Sequence, residues 1–160
     1  MPSQRVAVYA SDAPKPNGNY SHVIRSGNTL HVAGWMGDDP KTGKIVEGGI
    51  EAQTVSRNSA AAVRRPTLTI FTISVGVSFT KFHFQEQSIK NIKACLEAAG
   101  SNLDKVLQRR IYIIDMKQFR AVDAIWGKWF EEPFPVSTCV QISGLAKEGA
   151  LVELEVVAEA

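Results

Sequence analysis

The sequence predicts an α+β domain in which a single β-sheet is covered on one side by two helices. Residues 136–142 and 151–158 alternate apolar and polar side chains, as strands with one buried face do. Residues 86–99 and 117–130 instead repeat apolar side chains at helical spacing. The chain has 160 residues, 44% of them hydrophobic and 21% charged, which is enough for one domain with its own core.

Short strands are predicted before the first helix. Residues 5–9 alternate and predict the first strand, and the turn formers of residues 11–19 predict a loop after it. Residues 20–25 and 29–33 predict a hairpin whose turn is Ser26-Gly27-Asn28.

Two helices and a strand follow in the second half. The helix at 86–99 has one apolar face and is expected to stop before Gly100. Residues 106–114 predict a strand. The helix at 117–130 has an aromatic inner face and is expected to end before Pro133. The predicted order is β-β-β-α-β-α-β-β.

The last two strands each have one strongly apolar face, which we expect to be core. In the first strand this face consists of Val136, Thr138, Val140 and Ile142. In the second strand it consists of Val152, Leu154, Val156 and Ala158. The opposite faces carry polar groups together with Cys139 and Val157, so they are not plain solvated surfaces. A half-covered face that holds the Glu153 carboxylate is where we expect chemistry or a subunit contact.

Residues 55–85 interrupt this pattern. They contain four basic side chains and no acidic one, and residues 67–79 are uncharged, β-branched and aromatic. Without them, residues 50–54 would continue into residues 86–92 as one amphipathic helix. Our hypothesis is a translated intron or a gene-model error, and the alternative is a real surface insertion, such as a hairpin around Gly76. Sequencing the mRNA across the segment distinguishes the two.

The net charge of +2 does not predict a nucleic-acid partner, because the excess basic residues lie in residues 55–85. The rest of the chain has 14 basic and 16 acidic side chains. No run of about 18 apolar residues predicts a membrane span. The first residues lack the apolar stretch of a secretory signal, so we expect a cytoplasmic protein, with the mitochondrion as the alternative.

No metal or other cofactor is predicted. The three His and two Cys show no metal-ligand spacing. We expect Cys95 and Cys139 to be free, buried thiols in a reducing compartment rather than a disulfide. No His lies near Cys139 in sequence to activate it as a nucleophile.

Several short motifs occur in a fixed order once residues 55–85 are set aside. They are Ala13-Pro14, Gly18-Asn19-Tyr20-Ser21, Val32-Ala33-Gly34, residues 39–43, 51–54 with 91–100, Asp115-Met116, residues 135–140 and residues 152–155. With them the chain resembles, from end to end, the Rid family of reactive-intermediate imine deaminases, also called YjgF or L-PSP endoribonuclease-like. The resemblance implies one chorismate-mutase-like domain over 1–160, interrupted by the insertion, with a mixed sheet packed by two helices. It also implies a homotrimer with a cleft at each subunit interface.

The resemblance further implies site residues. Tyr20 and Gly34 would line the pocket, Glu153 would position the attacking water, and Cys139 would lie beside the substrate. The family has an Arg that binds a substrate carboxylate, but Ser137 stands at that position here. Serine offers no cationic fork, so we expect substrate binding at Ser137 to differ from the family's. Trp35 follows Gly34 where the family usually has Gln, and we expect it to reshape the pocket.

The sequence thus favours a Rid-like hydrolase of imines or enamines whose substrate range is altered by Ser137. Such hydrolysis requires an electrophilic carbon held near water and a group that orients or deprotonates the water. The alternative is a trimeric module of the same fold that binds a small molecule without turnover. Ribonuclease activity is the weakest reading, because no basic stripe with interleaved aromatic residues occurs outside residues 55–85.

Overall fold

The structure is a computed structural model and describes residues 5–46 and 87–160. Within these residues six strands form a single sheet: β1 Arg5–Val8, β2 Val23–Ser26, β3 Thr29–Met36, β4 Val106–Ile113, β5 Val136–Gln141 and β6 Val152–Glu159. Their order across the sheet is β1-β2-β3-β6-β4-β5. The helices are α1 Gln87–Ala98 and α2 Phe119–Trp126, with short 3-10 turns at Leu103–Lys105 and Met116–Gln118. The predicted α+β class and element order are confirmed.

All neighbouring strands are antiparallel except β4 and β5, which are parallel. A parallel pair needs a crossover, and α2 supplies it. The sheet is therefore mixed, and β5 lies at its edge. In the parallel pair, Arg109 of β4 stands beside Ser137 of β5.

The core lies between the helices and one face of the sheet. Ile89, Ile92 and Leu96 of α1 are fully buried, as predicted from their spacing. They join a cluster with the buried face of β6, which consists of Val152, Leu154, Val156 and Ala158. The prediction for the last strand is confirmed.

The prediction for β5 is wrong, because the face that we expected to be core is exposed. Val136 is 67% exposed and Val140 41% exposed, whereas Cys139 packs against the core. Ser137 shares the helix side with buried Arg109 because paired residues of neighbouring strands face the same way. An edge strand lies beyond the reach of the main core, so its more apolar face need not be the covered one.

The second helix is shorter than predicted. It begins at Phe119 after a 3-10 turn and ends at Trp126, with Gly127 as its cap. Phe130 beyond the helix is nevertheless buried, and its ring stacks on Trp126 with centroids 3.9 Å apart. The aromatic inner face therefore continues past the end of the helix.

The predicted insertion at 55–85 and the predicted first helical turn at 50–54 lie outside the described residues. Cys95 and Cys139 are both free, as predicted; Cys95 is buried and Cys139 half-buried. Among the described residues, no helix has the length and apolar character needed to cross a membrane.

Candidate functional site

The carboxyl group of Glu153 lies directly over Gly34. Residues 35 and 36 of β3 pair with Leu154 and Glu153 of β6, after a register shift that begins at Val32. A Cβ atom placed on Gly34 would lie 1.9 Å from Oε1 of Glu153 and 2.8 Å from its Cδ. Only glycine leaves room for the carboxyl in this position. The structure thus brings together two of the residues singled out in the sequence.

Glu153 is half-buried on the sheet face that the helices do not cover. Loss of hydration raises its pKa, and the nearby carboxylates of Glu155 and Asp38 raise it further. Within residues 5–46 and 87–160 its carboxyl makes no hydrogen bond or ion pair. By contrast, Glu155 accepts hydrogen bonds from Arg110 Nη1 at 2.9 Å and Tyr112 Oη at 3.0 Å. Among the described residues, therefore, no partner stabilises the charged form of Glu153.

The structure does not bring the side chains of Tyr20 and Trp35 to the Glu153 carboxyl. Tyr20 is 39% exposed in the loop before β2, and its hydroxyl donates to Asn17 Oδ1 at 2.9 Å. Trp35 is only 2% exposed and belongs to the core cluster, where its ring meets His22 edge-on at 5.2 Å. Alternation along β3 and β6 places Trp35 with Leu154, on the face opposite Glu153.

Ser137 and Cys139 lie at the β5 edge, on the helix side of the sheet. Arg109 Nε donates to Ser137 Oγ at 2.8 Å. Burial raises the pKa of the Cys139 thiol, although the charge of Arg109 opposes the shift. The thiol is thus protonated at neutral pH, which argues against a nucleophilic role.

Arg109 is the residue that sequence reasoning missed. A guanidinium does lie within hydrogen-bond distance of Ser137, but it comes from the neighbouring strand. It is 7% exposed, forms an ion pair with Asp123, and lies 4.7 Å from the centroid of the Trp126 ring. A βαβ order indicates a parallel pair, but only the register shows that these two residues are neighbours.

A cavity of about 220 Å³ adjoins this cluster. Its walls are Arg109, Asp123, Trp126, Gly127, Phe134 and Pro135. Nη1 of Arg109 and Nε1 of Trp126 have no hydrogen-bond partner in the described part of the chain. Nowhere in those residues are three His, Cys, Asp or Glu side chains grouped so that they could hold a metal ion.

Comparison with known proteins identifies the family. The family model for Endoribonuclease L-PSP matches residues 10–63 and 77–160. The chain belongs to this family, the Rid family. The resemblance carried by the short sequence motifs is thereby confirmed.

Individual Rid-family relatives align over nearly the whole chain. A RutC family protein of Pyrococcus horikoshii is 34% identical over 151 residues, 94% of each chain. The human 2-iminobutanoate/2-iminopropanoate deaminase is 25% identical over 154 residues, 96% of this chain and 89% of that one. A crystal structure of a Rid family protein from Yersinia pestis has a TM-score of 0.75 and 28% identity, covering 98% of this chain and 100% of that chain.

Proposed function

We propose that this Rid-family chain hydrolyses reactive imines or enamines and releases ammonia. The observation that supports this most is the Glu153 carboxyl, which is half-buried over Gly34 and has no polar partner in the described residues. A raised pKa suits a general base that works near neutral pH. The similarity to a human protein named for imine deamination supports the reaction class.

The proposed step needs water and no redox partner. The Glu153 carboxylate accepts a proton from water as the water oxygen bonds to the imine carbon, and Glu153 then returns this proton to the nitrogen, which receives the C=N electron pair. In the resulting carbinolamine the hydroxyl proton passes by way of Glu153 to the amino nitrogen, so that ammonia leaves as the C–N bond breaks and the carbonyl forms. Gly34 contributes by leaving the space in which the carboxyl is held.

The proposed substrates are neutral imines rather than imines that bear a carboxylate. Ser137 cannot bind a carboxylate as a guanidinium does, and losing such a contact costs a few kcal/mol of binding, or about a hundredfold. Arg109 reaches Ser137 but is already paired with Asp123. We therefore expect turnover of a neutral imine to exceed that of an imine bearing a carboxylate. Tyr20 and Cys139 remain proposed pocket residues. Because Ser137 and Cys139 lie on the sheet face opposite Glu153, we propose that they face a Glu153 of another copy of the chain.

A homotrimer is part of this proposal. The apolar side chains of Phe134, Val136 and Val140 are 56%, 67% and 41% exposed in the single chain. Such a patch at a sheet edge favours an interface with another copy. Light scattering should give three times the chain mass of 17.5 kDa. A mass equal to one chain would contradict the proposal.

Ammonia release from freshly generated imines tests the activity. One substrate should carry a carboxylate, and a second of similar size should lack it. We expect Glu153→Gln to lower turnover by about a hundredfold or more, the usual contribution of a general base. Glu159→Gln is the matched control, because Glu159 is an exposed carboxylate on the same strand.

Three results would contradict the proposal in different ways. Equal turnover by Glu153→Gln and the natural protein would exclude Glu153 as the base. Preference for the carboxylate-bearing imine would refute the altered substrate range. Turnover of neither imine by the natural protein would favour a binding module without catalysis.

A further inference from the structure

Lys147 joins two loops at the end of the sheet where Glu153 lies. It belongs to the loop between β5 and β6, and its Nζ donates to Asp38 Oδ2 at 2.5 Å and to the Gly43 carbonyl at 3.1 Å. Both acceptors belong to the loop that follows β3. The side chains of Asp38 and Lys147 are only 3% and 19% exposed. Loss of either partner would therefore leave a charge that water hydrates poorly.

Main-chain contacts also fix Asp38 in place. Asp38 N donates to Met36 O at 2.9 Å, and Asn91 Nδ2 of α1 donates to Asp38 O at 2.9 Å. Met36 is the residue of β3 that pairs with Glu153. Asp38 thus comes two residues after the partner of Glu153, an offset across which side chains of paired strands can still reach one another.

The ion pair acts on Glu153 through its negative end. Other charged or titratable side chains around Glu153 include Glu155, Tyr112 and Arg110, and Arg110 is paired with Glu155. The Asp38 carboxylate is one of the groups that raise the pKa of Glu153. Glu153 therefore has a second carboxylate beside it that could compete for a proton.

We propose that Lys147 is a positioning residue for Glu153: it holds the buried Asp38 carboxylate in its charged form, so that Glu153 is the carboxyl that gains and loses the proton. The inference rests on the proposed function, in which Glu153 is the base. Two neighbouring carboxyls of similar acidity would share a proton, and neither would act as the base alone. A cation touching one of them removes this ambiguity, because it favours the charged form of that group.

The test follows the carboxyl carbon of Glu153 by ¹³C NMR as the pH changes, with the signal assigned by its loss in Glu153→Gln. In Lys147→Met, Asp38 has no cation and is the more buried carboxyl, so it should take up a proton before Glu153 does. Glu153 would then titrate beside a neutral group. We expect its midpoint to fall by about half a pH unit or more, because a nearby like charge has been removed.

Asp38→Asn should lower the midpoint further, because it removes the carboxylate and leaves the Lys147 ammonium unpaired. The double variant with Asp38→Asn and Lys147→Met should match Lys147→Met alone, since in both the two charges are absent when Glu153 titrates. The double variant buries no unpaired charge, so it tests the inference even where Lys147→Met does not fold. Its midpoint should lie between those of the natural protein and Asp38→Asn.

Lys44→Met is the matched control, because Lys44 is an exposed lysine of the loop after β3 that does not pair with Asp38. It should leave the midpoint unchanged, and Lys147→Arg should preserve it because the cation is kept. Thermal unfolding should show which variants are folded. An unchanged or raised midpoint in folded Lys147→Met, or in the double variant, would overturn the inference.

The titration is independent of turnover. A midpoint that falls as expected, in a protein that hydrolyses neither imine, would refute the proposed function and leave the effect of Lys147 on Glu153 standing. Imine turnover with a midpoint that does not respond to Lys147→Met would support the proposed function and refute this inference. In an active protein, the acid limb of kcat/KM should move to lower pH in Lys147→Met together with the midpoint.

Discussion

Glu153 and Arg109 lie on neighbouring strands of one sheet, yet their surroundings are opposite in kind. Glu153 lies on the uncovered face, half-buried, with a raised pKa and no polar partner in the described residues. Arg109 lies on the helix face with a carboxylate, a hydroxyl and an indole ring around it. An ionisable group without partners remains available for proton transfer but disfavours folding when charged. A group with partners is fixed in place and supports the fold.

Replacing Arg109 should give the largest effect on stability. Arg109→Met leaves Asp123 without its partner and Ser137 without its donor. Because Asp123 is half-exposed and can be rehydrated, we expect a loss of about 2 kcal/mol in the free energy of unfolding, less than for a fully buried pair. Urea denaturation measures it. Arg110→Met is the matched control on the other face, where Arg110 is 46% exposed and should contribute under about 1 kcal/mol. Equal losses of unfolding free energy in the two variants would contradict the expected difference between the two faces of the sheet.

Changing Gly34 should act on Glu153 with less effect on the fold. The Cβ of Gly34→Ala would overlap the far end of the Glu153 side chain, which can rotate away. We expect turnover to fall about tenfold, or about 1.4 kcal/mol in the barrier, with the protein still folded. Gly144→Ala is the control, since an added Cβ meets nothing within 4 Å there. In a Glu153→Gln background, Gly34→Ala should change turnover little; a further full tenfold loss would show that Gly34 acts independently of Glu153.

The smallest expected effect is a pH-dependent change in the free energy of unfolding when Glu153 is replaced. The folded-state pKa is raised, so the folded state disfavours the charged carboxylate, and stability is lost as the pH rises through that pKa. Glu153→Gln should therefore be more stable than the natural protein at neutral pH. The gain should vanish below the ordinary glutamate pKa of 4.5. Urea denaturation across this range checks it, and a variant less stable at neutral pH would mean that Glu153 has a stabilising partner.

How far the sequence predicts the fold is shown by β5 and β6. The alternation in β6 correctly indicates its buried face, because that face packs into the core with α1. The same alternation in β5 indicates the wrong face, because the covering of an edge strand depends on distant elements. Helix and strand order follow from local periodicity, whereas the covering of a face depends on tertiary packing.

The candidate site, like the fold, could be predicted only in part from the sequence. Glu153 and Gly34 are found from motifs, and the structure places them in contact. The contact between Arg109 and Ser137 depends on strand register, which no local pattern in β4 reveals. Trp35 follows Gly34 directly, yet it lies on the other face because successive residues of a strand point in opposite directions.

The chain on either side of residues 47–86 is attached to one small part of the domain. Ile45 pairs with Asp38, Val46 N donates to Gly37 O at 2.8 Å, and Asn91 Nδ2 of α1 donates to Asp38 O at 2.9 Å. The short loop after β3 therefore anchors both the chain that leaves the sheet and the helix that covers it.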